Sequence, residues 1–276
     1  MRVLIFNGSN VEGYSQFVMR ELVHSYEAWA SASDTFEYTV IVWKEGDDYY
    51  QSNHPSRTKP FDLDNLPITA PVTVTIPMHI FKGHWHPSLT EIPPLPPTDS
   101  FLKRPAILLD GCESDKYELR TPGADLVAEA MVYEVLKQHP HPGICMYYGC
   151  VRDGDYLTDI CLKKYECRLM DTVWKGDPTL NTAAILDGIS KGVQFLHETL
   201  SLVHNDINPA NIMLDDAGDP VIIDFDSCLV PIGEEIGGRK GGTPGWTVEP
   251  MPTISLPEND IYGITQIGEF LKGNRT

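Results

Sequence analysis

Residues 202–226 read LVHNDINPANIMLDDAGDPVIIDFD. Two short apolar runs, 212–214 and 221–223, flank an Asp-Asp-Ala-Gly-Asp turn, which is the pattern of a β-hairpin. Polar residues stand just before the first run and just after the second, so the hairpin brings Asp206, Asn211 and Asp224 out at one end. Two carboxylates and an amide are hard oxygen donors that suit Mg2+ better than zinc, and Mg2+ readily shares its shell with phosphate oxygens. This is the outline of a phosphoryl-transfer site. Asp and Asn are also the commonest turn and capping residues, so any one of them alone carries little. The whole order is far more restrictive: His-x-Asp, four residues, Asn, strand, turn, strand, then Asp-Phe-Asp.

The surrounding chain has 276 residues, with 39 acidic side chains against 21 Lys and Arg and a formal charge of −18. That excess repels phosphate backbones and anionic lipid, so neither nucleic acid nor a membrane is an expected partner. With 42% hydrophobic and 22% charged residues the composition is that of a folded protein able to bury a core without disulfides. The opening apolar run, residues 3–6, is too short for a signal-peptide core, and no stretch of about 18 apolar residues occurs. A soluble, intracellular, cytoplasmic chain is expected. Six cysteines (112, 145, 150, 161, 167 and 228) form no CxxC pair and no Cys/His ligand spacing, which predicts reduced, mostly buried thiols and no zinc.

Further elements follow from periodicity. Val18, Leu22, Tyr26 and Trp29 share a helical face over residues 14–29, and 38–43 (YTVIVW) reads as a strand. Residues 51–60 read as a polar loop and 72–76 as a strand. Pro87, Pro93, Pro94, Pro96 and Pro97 predict a stiff extended connector. A strand from 100 to 109, a helix over 125–138, and two strands, 145–151 and 156–165, joined by Asp153-Gly154-Asp155 come next. A long amphipathic helix is expected from 182, and a last helix over 260–271. His84 and His86 are spaced like a metal pair, but without a third ligand they are read as surface or packing residues. The glycines at 8 and 13 are taken as a turn.

The segment HNDINPANIMLD, with VIIDFDSC after it, resembles the catalytic loop and metal-binding motif of the protein kinase-like superfamily. Together with KRP, HPHPGI and GGTPGW, the pattern is similar to fungal protein-kinase-domain proteins. The resemblance runs from about residue 100 to 271. It implies an α+β, two-lobed protein kinase-like fold: a small β-rich N-lobe with one helix and a truncated, mainly helical C-lobe. By this resemblance Asp206 is the catalytic base, Asn211 and Asp224 are Mg2+ ligands, and ATP is the phosphoryl donor. A kinase also needs a strand lysine for the ATP phosphates and a helix glutamate to hold it. Lys103 and Glu129 match these places, with Arg104 or Lys116 as alternatives to the first and Glu134 to the second. Asp260 matches the residue that caps the catalytic loop from below. The implied function is transfer of the γ-phosphoryl of Mg-ATP to a Ser or Thr hydroxyl of a protein substrate. A binding module of kinase shape, or a kinase for small hydroxylated molecules, is the alternative.

The implied organisation is 1–98, an N-terminal extension with the first N-lobe strands; 99–168, the N-lobe and hinge; and 169–276, the C-lobe. Four features depart from the kinase pattern. No Gly-rich loop precedes Lys103. Asn205 stands where many kinases have Arg, and Asn208 where Ser/Thr kinases have Lys. Asp226 replaces the Gly of Asp-Phe-Gly, as in aminoglycoside and choline phosphotransferases. The second lobe is short, so Glu249 is expected to lack an Arg partner.

Overall fold

The computed structural model describes residues 20–30, 35–45, 48–57, 63, 74–76, 80–93, 95–105, 121–228, 231–236 and 242–273. The expectations at residues 1–13, Val18, residues 106–109, Cys112, Lys116 and Gly241 lie outside them. The chain divides into two compact units, Met1–Met78 and His79–Thr276.

The first unit is an antiparallel meander of β1 (Arg20–Ala30), β2 (Thr35–Glu45), β3 (Asp48–His54) and β4 (Val74–Ile76), in that spatial order. Its core is the middle of β2, where Val40, Ile41, Val42 and Trp43 are all buried, so both faces of that strand are covered. Trp43 stacks on Tyr50 at 5.7 Å, and the Arg20 guanidinium lies 5.5 Å from the Trp43 ring. Two expectations are corrected here. The helix expected up to residue 29 is strand β1. A spacing of four is even, so Leu22 and Tyr26 fit one strand face as well as one helix face. Register shifts at Leu22/His24 and Ala28/Trp29 then break the alternation that would have revealed the strand. Residues 51–54, expected in a loop, belong to β3, where the ladder to β2 runs from Asp48 to His54 despite polar side chains.

The second unit holds the rest. β5 (Gly83–His84), β6 (Ser100–Lys103), β7 (Tyr147–Asp153) and β8 (Tyr156–Lys163) form a sheet in which β8 pairs with all the others. Helix α1 (Pro122–Gln138) packs on it. It starts three residues earlier than expected because Thr121 caps the Ala124 N–H at 3.2 Å and Pro122 supplies a fixed φ at the first turn. Beyond β8 come β9 (Cys167–Arg168), α2 (Leu169–Trp174), α3 (Thr182–Leu200), the hairpin β10 (Ile212–Leu214) and β11 (Pro220–Ile222), and α4 (Pro257–Leu271). The expected hairpins at 153–155 and 215–219 are both present. This is a two-lobed α+β arrangement, with a β-rich lobe carrying one helix and a mainly helical lobe.

The lobes meet at Ile144 and Ile222: the Cys145 N–H donates to Ile222 O and the Ile222 N–H to Gly143 O, each at 2.9 Å. The β10–β11 hairpin rests on α3 at two glycines, where an added Cβ would come within 2.5 Å of Pro220 Cγ at Gly188 and 2.9 Å of Ile222 Cδ1 at Gly192. Beneath the loop at 204–211, Gly263 of α4 leaves no room at all, since a Cβ there would sit 2.3 Å from Ile207 O. Gly263→Ala is therefore expected to destabilise the second unit by about 1–3 kcal/mol, the usual cost of overpacking, and thermal denaturation measures it.

Cys145, Cys150, Cys161 and Cys228 are free and buried, and Cys167 is free and exposed. Among the described residues no group of three His, Cys, Asp or Glu side chains is placed to hold a metal, and no helix is long and apolar enough to cross a membrane. His84 tilts against the Tyr156 ring at 5.1 Å, while His86 Nδ1 accepts from the Ser88 N–H at 3.2 Å.

Candidate active site

Lys103 ends β6 and reaches both lobes. Its Nζ donates to Glu129 Oε1 at 2.6 Å and to Asp224 Oδ1. Glu129 is 2% exposed, so its carboxylate has almost no water; besides Lys103 it accepts from the Phe225 N–H at 3.2 Å. Burial works against the Lys103 charge, but Glu129, Asp224 and Asp226 together outweigh it and hold its pKa above the ordinary lysine value. For Glu129 burial is the larger effect. It pushes the carboxyl up to about 7, against the pull of Lys103.

Glu134, the alternative to Glu129, is engaged elsewhere. It accepts from the Thr90 N–H at 2.5 Å, Thr90 Oγ1 at 2.9 Å and Tyr147 Oη at 2.7 Å, on the side of α1 away from Lys103. Arg104, the alternative to Lys103, pairs with Asp159 at 3.1 Å.

Asp206 is buried in the loop before β10, where its carboxylate accepts from Thr243 Oγ1 at 2.8 Å, Asn208 Nδ2 at 2.9 Å and Asn211 Nδ2 at 3.1 Å. The Asn211 amide nitrogen is thereby turned to Asp206, leaving its oxygen to the other side. Asp224 follows β11 with φ 66, in the left-handed region. A non-glycine residue held there by its surroundings is a strained position of the kind that gathers at functional sites. Asp226 accepts from Ser227 Oγ at 3.0 Å. Asp206, Asn211 and Asp224 thus stand at one end of the β10–β11 hairpin, and Lys103 and Glu129 meet them through Asp224.

A column of rings runs behind this site: Tyr147 stacks on Tyr133 at 5.5 Å, Tyr133 meets Phe225 edge-on at 5.3 Å, and Phe225 lies 5.1 Å from His204. The fully buried Asp260 closes its foot, accepting the His204 and Asn205 N–H groups at 2.9 and 2.8 Å and contacting His197 Nε2 at 2.8 Å. This is the loop-capping position expected of Asp260. Aromatic pairs of this kind contribute about 0.5–1.5 kcal/mol each beyond their burial, so the column ties α1, β7 and the Asp-Phe-Asp segment into one body.

Several contributors were not legible in the sequence. Thr243 belongs to the GGTPGW segment that resembles protein kinases, but nothing in its spacing announces that it binds Asp206. Asn205, read as a missing arginine, is a hub: its Nδ2 donates to Ser255 Oγ at 3.0 Å and to Val203 O and Ser227 O at 3.3 Å, while its Oδ1 accepts from Asn259 Nδ2 at 3.0 Å. Glu249 is exposed.

The comparisons with known proteins agree with this geometry. Residues 113–246, just under half of the chain, match the family model of the protein kinase domain. A serine/threonine-protein kinase/endoribonuclease IRE1 of the fungus Hypocrea jecorina is 34% identical over 125 residues, 38% of this chain and 10% of that protein. Mitogen-activated protein kinase kinase kinase 1 of Arabidopsis thaliana is 32% identical over 139 residues, 47% of this chain and 21% of that protein. A dual specificity protein kinase, shkD, of Dictyostelium discoideum is 26% identical over 136 residues, 48% of this chain and 18% of that protein. The chain thus spans only a tenth to a fifth of the length of these relatives. Over these residues the chain is similar to the protein kinase domain, in keeping with the two-lobed arrangement described above.

Proposed function

We propose that the chain is an ATP-dependent phosphotransferase of protein-kinase type that moves the γ-phosphoryl of Mg-ATP to a Ser or Thr hydroxyl of a protein. The observation that carries this is Lys103, which joins Glu129 of α1 to Asp224 of the other lobe, at the end of the β10–β11 hairpin where Asp206 also stands. In this reading the N-lobe and hinge span 99–168 and the C-lobe begins at 169. The donor set fits Mg2+: Asp224 and Asn211 offer oxygens, and phosphate oxygens and water complete a shell that needs no all-protein cage. When bound, Mg2+ neutralises phosphate charge. Lys103 orients the phosphates, Glu129 holds Lys103, and Asp206 accepts the proton of the acceptor hydroxyl. The domain match and the kinase relatives support this reading.

Asn208 favours a second reading. Its amide bridges Asp206 Oδ1 and Thr243 Oγ1 as a neutral group, where a cation would stabilise the transferring phosphoryl. That reduced charge suits a nucleotide-binding module with little catalysis. Asp226 in turn keeps a small hydroxylated acceptor in view. A rise in melting temperature with Mg-ATP, together with labelled phosphate passing from ATP to a mixed peptide set, supports the first reading. Stabilisation without transfer supports the second.

One residue bears on nucleotide binding directly. Phe101 is 52% exposed and lies two residues before Lys103, on the same face of β6. With half of its surface open beside Lys103, Phe101 offers a ring to a nucleotide base. Base–aromatic stacking is worth about 1–3 kcal/mol, so Phe101→Ala is expected to weaken ATP binding roughly tenfold and Phe101→Trp to retain it, as measured by calorimetric titration.

A further inference from the structure

The segment from Gly83 to Asp99, whose prolines at 87–97 predict only a stiff connector, touches both elements that carry the Lys103–Glu129 pair, α1 and β6. At its start β5 lies so close to the first turn of α1 that a Cβ on Gly83 would come within 2.3 Å of Gly123 O, and one on Gly123 within 2.5 Å of Gly83 N. Its middle runs along the free edge of β7. There the Ile92 N–H donates to Cys150 O at 3.0 Å and the Cys150 N–H to Thr90 O at 2.7 Å. Gly149, with φ 143, makes room for it, since a Cβ would come within 2.7 Å of both Thr90 O and Ile92 Cγ2.

At this point the segment grips α1 a second time. Both Glu134 oxygens are used, Oε1 by the Thr90 N–H at 2.5 Å and Oε2 by Thr90 Oγ1 at 2.9 Å, with Tyr147 Oη as a third donor. At its end Asp99 takes the Lys164 N–H at 2.7 Å and Tyr148 Oη at 2.9 Å, and the chain turns directly into β6. Pro93, Pro96 and Pro97 stiffen the stretch between these anchors. One continuous strap therefore fixes α1 at two places and then becomes the strand that bears Lys103. Charge-assisted bonds to a carboxylate are about twice as strong as neutral ones, which makes Glu134 the firmest of its holds.

We propose that residues 83–99 are a built-in clamp in which Thr90, acting through Glu134, positions α1 so that Glu129 meets Lys103. Glu134 and Thr90 are positioning residues. Their importance to nucleotide binding rests on the function proposed above, but their effect on the pair does not. Glu134→Ala frees α1 from the strap, whereas Glu134→Gln keeps an oxygen for the Thr90 N–H and Tyr147 Oη. Three measurements on the full chain test this: hydrogen exchange resolved along α1, the rate at which an amine-reactive ester labels Lys103, and calorimetric titration with Mg-ATP.

Glu134→Ala is expected to speed exchange over residues 126–133 and raise Lys103 labelling at least tenfold, with both restored by Glu134→Gln. Mg-ATP affinity falls in Glu134→Ala but not further when it is added to Glu129→Gln, because both substitutions act on one pair. Faster exchange confined to residues 83–99, with Lys103 labelling unchanged, would overturn the clamp and leave the strap as cover for the β7 edge. Should Glu134→Ala unfold, Thr90→Val removes the hydroxyl donor and leaves the Thr90 N–H and Tyr147 Oη on Glu134 Oε1, so Lys103 labelling is expected to rise about twofold to threefold, and unchanged labelling would overturn the clamp. If the wild type binds no nucleotide while Lys103 labelling still responds to Glu134, the phosphotransferase reading fails and the clamp stands.

Discussion

Asp206→Asn is expected to lower phosphoryl transfer by at least about 100-fold, and up to 10,000-fold, the range a positioned general base contributes. The isosteric amide keeps the volume and an oxygen for Thr243 Oγ1 and Asn208 Nδ2, so the loop fold should survive. It cannot take a proton from a hydroxyl. Its NH2, in the place of Oδ2, faces Asn211 Nδ2, a donor that now meets a donor. Mg-ATP binding, carried by Lys103 and Asp224, should change by less than threefold. Transfer that persists undiminished in Asp206→Asn would exclude the phosphotransferase chemistry assigned to this loop.

Lys103→Met should have the second-largest effect, and it is pH-dependent. Removing the cation leaves Glu129 and Asp224 without their common partner, and breaking a buried ion pair from one side costs about 3–5 kcal/mol. In the wild type the Glu129 carboxyl already sits near 7, raised by burial and held down by Lys103. Without Lys103 it rises further. A carboxyl raised in the folded state favours folding while protonated, so this contribution is complete below the unfolded value near 4.5 and is lost as pH climbs through the folded one. The melting temperature of Lys103→Met should therefore lie close to wild type at pH 5 and well below it at pH 8. Its Mg-ATP affinity should be lost at both. A deficit of equal size at the two pH values would show that Glu129 does not titrate in the variant.

How much of this was legible depends on where the information lies. The hairpin at 212–222 and its flanking Asp206, Asn211 and Asp224 were legible because turn chemistry and strand alternation act within about 20 residues. Lys103 and Glu129 rest on the resemblance to kinases, and that Lys103 contacts Glu129 and not Glu134 is a tertiary feature that no local pattern carries, since both glutamates lie on α1. The strand β1 was misread as a helix because its apolar spacing fits both periods. The strap was seen as proline-rich, but its grip on Glu134 joins residues 44 apart and no local pattern encodes it. Thr243 and Asp206 are likewise 37 apart.

The hub at Asn205 has a consequence for control. Every bond it makes is between neutral groups or backbone, apart from its own N–H to Asp260. Amides and hydroxyls do not titrate across the physiological range, and their bonds do not weaken with ionic strength, whereas an ion pair of guanidinium and phosphate is screened by salt and weakens as the phosphate protonates at about pH 6. Ser227, Ser255 and Asn259 are thus latched to the loop at 204–211 by side-chain bonds that neither salt nor mild acid loosens. A latch of this kind stays shut under conditions that would open an ion pair.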